Sequence, residues 1–206
     1  RASFDQTVGR IVSSRQTEII RAAAKVFKAK GYHAATIQDI ADEVGLLKGS
    51  LYHYVASKEE LLYLVVKEPV TRVYRRLEKI ADSPAPTREK IAQAIAFHLE
   101  AFDAHYPHLF VYVREMDSLY PRLKDKITES PRHYQRLWHR ILREGMKGGE
   151  LRDDLDVKVV TYAILGAINW MYRWYERNGR LSIQEVASTF TRTFLDGLAA
   201  PRAVKA

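Results

Sequence analysis

Thr36-Ile37-Gln38-Asp39-Ile40-Ala41-Asp42-Glu43-Val44-Gly45-Leu46-Leu47-Lys48-Gly49-Ser50-Leu51-Tyr52-His53-Tyr54-Val55 is the stretch that decides the fold. Ile37, Ile40, Ala41 and Val44 recur at helical spacing and make one apolar stripe. Thr36 stands before them as the N-cap, with Asp39 at the third helical position, a variant of the capping box. Gly45 closes this short helix. A second short helix is predicted over Lys48 to Tyr54 after the turn Gly45-Leu46-Leu47. Ser57-Lys58-Glu59-Glu60 then forms a full capping box that opens a long helix to about Ile80.

Two short helices joined by a three- or four-residue turn containing glycine form a helix-turn-helix pattern. A seven-residue second helix is about 10 Å long. It fits a major groove about 12 Å wide and offers its side chains to base edges. Lys48, Gly49, Ser50, Tyr52 and His53 are predicted to be exposed, with Leu47, Leu51 and Val55 on the packed side. Lys48 can donate to guanine O6 and N7. Ser50 and His53 can bond to bases or phosphates, and the Tyr52 and Tyr54 hydroxyls suit phosphate oxygens. Gly49 lets the backbone approach closely.

Working outward, Ile19, Ala23, Val26 and Phe27 share one face of a helix over about Ser14 to Lys30, closed by Gly31. Pro69 is expected to kink or split the long helix that begins at Ser57. Ser83-Pro84-Ala85-Pro86 reads as a linker. Helices are then predicted over Thr87–His105 and Pro107–Met116, with Tyr120-Pro121 as a further break. Ser130-Pro131 places an N-cap before a first-turn proline and opens a helix to Lys147. Two more helices follow, about Asp154–Arg177 and Ser182–Leu198, the last with a Ser182/Glu185 capping box. No segment alternates with period two. The fold class is therefore all-α, with nine or ten helices expected in all.

Composition narrows the function. The 206 residues carry 33 Lys and Arg against 25 Asp and Glu, a net charge of +8. There is no cysteine, which removes disulfides, thiolate catalysis and cysteine-ligated metals. The longest charge-free apolar run, Val159 to Tyr172, has 14 residues and contains Thr161 and Asn169. A membrane span needs about 18 apolar residues or more. Residues 1–17 hold no apolar signal core. The expectation is a soluble, cytoplasmic protein with no membrane partner. The basic excess is segregated, since residues 1–38 are net +5 and residues 44–58 hold Lys48 and Lys58 with no acid. A P-loop, a dinucleotide fingerprint and a nucleophile elbow are all absent, and no cofactor or catalytic residue is expected.

The string from Thr36 to Val55, followed by Ser57-Lys58-Glu59-Glu60-Leu61, resembles the N-terminal domain of the TetR family of transcriptional regulators. The Thr, the Ile-Ala pair, the glycine of the turn, the Gly-Ser-Leu-Tyr run and the Ser-Lys-Glu-x-Leu start of the fourth helix all match. Leu47 departs from the polar cap usual there, and Val55 departs from the usual Phe. The resemblance implies an N-terminal three-helix DNA-binding domain over residues 1–60, with an arm over 1–13. A helical ligand-binding and dimerisation domain would fill residues 61–206. Carried over position by position, Thr36 and Gln38 touch phosphate and a base edge. Lys48, Gly49, Ser50 and His53 face bases, and Tyr52, Tyr54 and Lys58 hold phosphates. A dimer neutralising about six phosphates would lose about a thousandfold in affinity between 50 and 200 mM salt.

The partners implied are a palindromic double-stranded operator, a second copy of the chain through the last two helices, and a hydrophobic small-molecule effector. The effector would release the operator, with the long fourth helix as the mechanical link. The apolar run from Val159 and the stripe Ile183, Val186, Ala187, Phe190, Phe194 and Leu198 agree with a helical interface. The ligand site is expected at Phe102, Phe110, Arg114, Trp138, Asn169 and Arg173, among helices 87–105, 107–116, 131–147 and 154–177. Asn169 and the following Trp-Met-Tyr-Arg-Trp-Tyr run also resemble the branch of the family that senses acyl-CoA or lipid-like effectors. Two alternatives stay open. One is a metal-dependent hydrolase built on His98, Glu100, Asp103, His105 and His108. The other is a helical protein-interaction module.

Overall fold

The computed structural model describes residues 14–123 and 131–198, so the expected arm over 1–13 and the Ser130 N-cap lie outside the described residues. The described residues form nine α-helices and one short 3₁₀ turn, joined by loops. The chain divides into two compact units between Val66 and Lys67.

The first unit contains α1 (Ser14–Lys30), α2 (Ile37–Glu43), α3 (Lys48–Leu51) and the start of α4 (Lys58–Ala81). Ile19, Phe27, Ile40, Leu51 and Leu61 are wholly buried and come from all four helices, so this small core is shared. Burial at about 1.5–3 kcal/mol per large apolar side chain is what holds helices this short, which would not form alone. Gly31 ends α1 with φ +83°, its N–H donating to the Phe27 carbonyl at 2.9 Å.

The second unit holds the rest of α4 and α5 (Thr87–Ala104), α6 (His108–Leu123), α7 (Pro131–Lys147), α8 (Val157–Trp170) and α9 (Ile183–Leu198). Helix α5 is its centre, packed along α9 and against α7 and α8. Gly145 on α7 allows one of these approaches, because a Cβ there would collide with Thr87 and lie 2.8 Å from Leu151 Cδ1.

Three helix boundaries differ from expectation. Pro69 lies inside α4 without splitting it, because Val66, Val70 and Val73 on either side are buried and hold the helix across the missing N–H. Helix α6 runs through Tyr120-Pro121 to Leu123, the proline falling in its last turn, where one lost hydrogen bond does not stop the helix. Helix α8 occupies Val157–Trp170 rather than 154–177. Asp154 is engaged by Arg152 at 2.6 Å, and Asp156 caps the helix instead, accepting from the Val159 N–H at 2.9 Å. Beyond Trp170 the backbone tightens into the 3₁₀ turn Met171–Arg173. Burial of Met171 and Tyr175 draws the chain round there, and the Tyr175 hydroxyl donates to Asp103 at 3.1 Å.

Candidate nucleic-acid interface and buried cavity

Thr36 and Asp39 set the start of α2. The Thr36 hydroxyl accepts from the Asp39 N–H at 3.1 Å, and the Asp39 carboxylate accepts from the Thr36 N–H at 2.9 Å. Lys30 also donates to Asp39 at 2.7 Å; this bond and the Thr36 N–H hold its carboxyl down at about 2. Gly45 then turns the chain with φ +65°. Two residues of α1 fasten the result. Arg15 Nη2 donates to the Val44 carbonyl at 2.8 Å, and Gln16 Nε2 donates to the Tyr54 carbonyl at 3.3 Å.

Helix α3 spans only Lys48–Leu51, four residues against the seven expected. Tyr52 to Tyr54 continue as hydrogen-bonded turns, with His53 N–H to Ser50 at 3.3 Å and Tyr54 N–H to Leu51 at 3.0 Å. The presented side chains still share a face, because Leu51 and Val55 are buried and anchor both ends of the segment. Lys48, Gly49, Tyr52 and His53 are exposed, and Ser50 and Tyr54 are half-buried. Among the described residues, Lys48, Ser50, Tyr52 and His53 make no side-chain hydrogen bond or ion pair. Thr36 and Gln38 are also exposed, but Gln38 donates to Asp42 at 2.6 Å.

Two expectations here are corrected. Leu47 is 80% exposed rather than packed. It sits at the N-cap of α3 with extended backbone, where a side chain points away from the core, and no side chain caps that helix. Lys58 does not offer a free ammonium. It donates to the Ala35 carbonyl at 2.7 Å and the His33 carbonyl at 3.3 Å, and lies 4.6 Å from the centre of the Tyr32 ring. Lys25 pairs with Glu43 at 3.4 Å and Lys30 with Asp39. Lys48 is thus the cation left uncommitted between Thr36 and Lys58.

The second unit holds a cavity of about 310 Å³, partly open to solvent beside the exposed Tyr162 and Gly166 and within the range of small-molecule sites. Of the expected ligand residues, Phe102 and Asn169 line it and four do not. Trp138 is wholly buried in the core. Phe110 spends its ring on Tyr106 and Tyr172, stacked edge-on at 5.7 and 5.6 Å. Arg114 donates to Glu115 at 3.0 Å and lies over the Phe110 ring. Arg173 is exposed on the 3₁₀ turn, over the rings of Trp170 and Tyr172 at 5.4 and 5.8 Å. Premature closure of α8 is the reason, since Arg173 no longer continues the face of Asn169.

The wall is completed by residues the sequence did not assign to the ligand site, His98 among them having been read as a metal candidate. Helix α4, which was not expected to contribute, supplies Val70, Val73 and Tyr74. Tyr74 bonds to Tyr112 at 3.4 Å. His98 Nδ1 and the Tyr134 hydroxyl are 2.8 Å apart. Burial pulls His98 down to about 4 and pushes the Tyr134 phenol up, so both are neutral near pH 7. His98 and Phe102 stand four apart on α5, a signal the sequence carried but which aromatic content obscured. Asp103, a metal-ligand candidate by sequence, is held by Tyr175 and by Arg177 at 2.9 Å. Among the described residues no group of three His, Asp or Glu could hold a metal ion. Among the described helices none is long and apolar enough to cross a membrane.

Helix α8 and the segment just after it leave apolar surface uncovered. Val159 is 65% exposed and Trp170 57%, with Tyr162 and Trp174 close to half. Trp174, Phe190 and Phe194 form a stacked row at 6.2 and 6.4 Å.

A helix-turn-helix with a free polar face, joined to a helical unit that holds a mostly apolar cavity, defines a DNA-binding regulator with a sensor unit. Comparison with known proteins agrees. Residues 19–64 match the family described as bacterial regulatory proteins, tetR family, and residues 84–198 match the tetracyclin repressor-like C-terminal domain. The chain is 33% identical over 197 residues to the HTH-type transcriptional repressor KstR2 of Mycobacterium tuberculosis, covering 95% of this chain and 98% of that one. The solved structure of the ketosteroid transcriptional regulator KstR2 of Mycobacterium tuberculosis superposes with a TM-score of 0.86 at 31% identity, over 92% and 97% of the two chains. The transcriptional regulator FadR of Bacillus subtilis, solved in complex with stearoyl-CoA, gives 0.69 at 26% identity over 88% and 98%. The chain belongs to the TetR family of bacterial transcriptional regulators.

Proposed function

We propose that this protein is a repressor that binds a palindromic operator as a homodimer and leaves it when a hydrophobic molecule fills the second unit. The observation that carries the DNA half is the segment Lys48–Tyr54, anchored by buried Leu51 and Val55 with its polar side chains uncommitted. Thr36, Gln38, Lys48, Gly49, Ser50, Tyr52, His53 and Tyr54 form the contact set, and Lys58 acts by bracing the Ala35 corner rather than by binding phosphate. The unit to Val66 reads DNA and the unit from Lys67 senses and dimerises. The exposed Val159, Tyr162 and Trp170 of α8, with Trp174 beside the half-buried Phe190 and Phe194 of α9, support dimerisation, since surface of that kind marks a partner site. A two-fold dimer calls for a palindrome. The roughly 310 Å³ cavity supports the effector half, with Phe102 and Asn169 in its wall. KstR2 is named a repressor, and FadR was solved with an acyl-CoA, which favours an acyl or lipid-like effector here. The chemistry expected is recognition and release, with no catalytic step.

The test is selection of DNA fragments by the purified full-length protein, followed by titration of Lys48→Ala on the selected duplex. Wild type is expected to enrich an inverted repeat. Lys48→Ala is expected to weaken binding. If Lys48 bonds a phosphate, the salt slope falls by about one for each half-site; if it bonds guanine, one base position relaxes by about 1–3 kcal/mol. Enrichment of no sequence by a dimeric protein would overturn the proposal.

A further inference from the structure

Burial keeps His98 and Tyr134 in the cavity wall neutral near pH 7. Among the described residues its polar side chains are those of His98, Tyr74, Tyr112, Tyr134, Tyr162, Gln135 and Asn169, with no Lys, Arg, Asp or Glu. A carboxylate against such a wall would lose much of its water and meet no cation among the described residues. A ketone, ester or thioester carbonyl would lose far less and needs only one donor.

His98 is placed to be that donor. Its Nδ1 is occupied by the Tyr134 hydroxyl at 2.8 Å. Of the two groups a phenol O–H is the stronger donor and a neutral imidazole nitrogen the stronger acceptor. That difference favours the arrangement in which Tyr134 donates its proton to His98 Nδ1. A neutral imidazole accepting at Nδ1 carries its proton on Nε2. Nε2 makes no hydrogen bond among the described residues, yet it is not among the atoms sealed from solvent. The ring lines the cavity, so the surface left to it is that of the cavity.

We infer that the cavity selects an uncharged oxygenated apolar molecule, with His98 Nε2–H donating to its carbonyl oxygen and Tyr134 fixing the tautomer. The inference rests on the effector-cavity proposal above and adds the chemical class of occupant and the specificity-determining residue. A free fatty acid is discriminated against, whereas the same chain as a ketone, ester or thioester is accepted.

The experiment measures direct binding of three probes of matched length, 2-undecanone, methyl decanoate and decanoate, to the full-length dimer at pH 7.5 by calorimetry, with operator affinity measured separately. The ketone and ester are expected to bind at least tenfold more tightly than decanoate. His98→Phe is expected to weaken the ketone by about three- to tenfold, the range of one neutral hydrogen bond, and to leave decanoate nearly unchanged. Tyr134→Phe keeps the ring and loses the hydroxyl, so it is expected to weaken the ketone by less. It also serves if the histidine variant fails to fold. Decanoate binding as tightly as the ketone, or ketone affinity indifferent to both substitutions, would overturn this inference and leave the effector proposal standing. Ketone binding that depends on His98 without any change in operator affinity would uphold it and overturn the regulatory proposal. If none of the three probes binds, both fall.

Discussion

Acidifying the solution from pH 7 to pH 5 is expected to destabilise the second unit through His98. The unfolded chain holds this histidine near 6.5, and burial in the fold holds it at about 4. Between those values the unfolded state binds a proton and the folded state does not. Stability contributed by the neutral ring is therefore complete above 6.5 and is lost as the pH falls toward 4. Each tenfold difference in proton affinity between the two states is worth about 1.4 kcal/mol, so the loss by pH 5 is on the order of 2 kcal/mol. His98→Phe removes the titration, leaving a constant packing offset. The assay is urea unfolding at several pH values, followed by tryptophan fluorescence. All three tryptophans, Trp138, Trp170 and Trp174, lie beyond Lys67, so the signal reports the second unit alone. His105 and His139 are also lowered by burial and contribute in the same direction, and Glu150, Asp154 and Glu185 are held down. These groups are common to both proteins and cancel in the difference. A difference between wild type and variant that stays flat from pH 7 to 5, or that grows with acid in favour of wild type, would refute the reasoning.

Three further outcomes follow from local geometry. Leu47→Ser supplies the missing cap of α3 at an exposed N-cap position, and is expected to stabilise the first unit by about 0.5–1 kcal/mol in thermal melts; a lower melting temperature would count against it. Gly145→Val forces a branched side chain against Thr87 and Leu151 and is expected to cost about 1–3 kcal/mol, whereas unchanged stability would mean that α5 and α7 are not so close. Phe194→Glu puts a charge into the aromatic row of α9 and is expected to yield monomers in sedimentation and to weaken operator binding at least tenfold; a dimer of wild-type stability would place the interface elsewhere.

Local chemistry made the first unit legible from the chain alone. A capping box closes within four residues, and a glycine at positive φ needs only its neighbours, so Thr36, Asp39 and Gly45 stand where the pattern placed them. The buried side of the recognition segment could likewise be read at Leu51 and Val55 from spacing. What failed there was Leu47, whose apolar character implied packing although its backbone turns it outward. The commitment of Lys58 to two carbonyls was equally hidden, because its partners lie 23 and 25 residues away.

The cavity belongs to tertiary structure. Aromatic density showed that the second half had a large core, but not which rings fill it and which line a void. Trp138 fills, Phe102 lines, and nothing in their sequence neighbourhoods distinguishes them. Asn169 reaches the wall and Arg173 does not because α8 closes at Trp170, an event set by the burial of Met171 and Tyr175. Periodicity and capping act over a few residues and are written in the chain. A void bounded by several helices depends on how their faces meet, and only the packed structure fixes that.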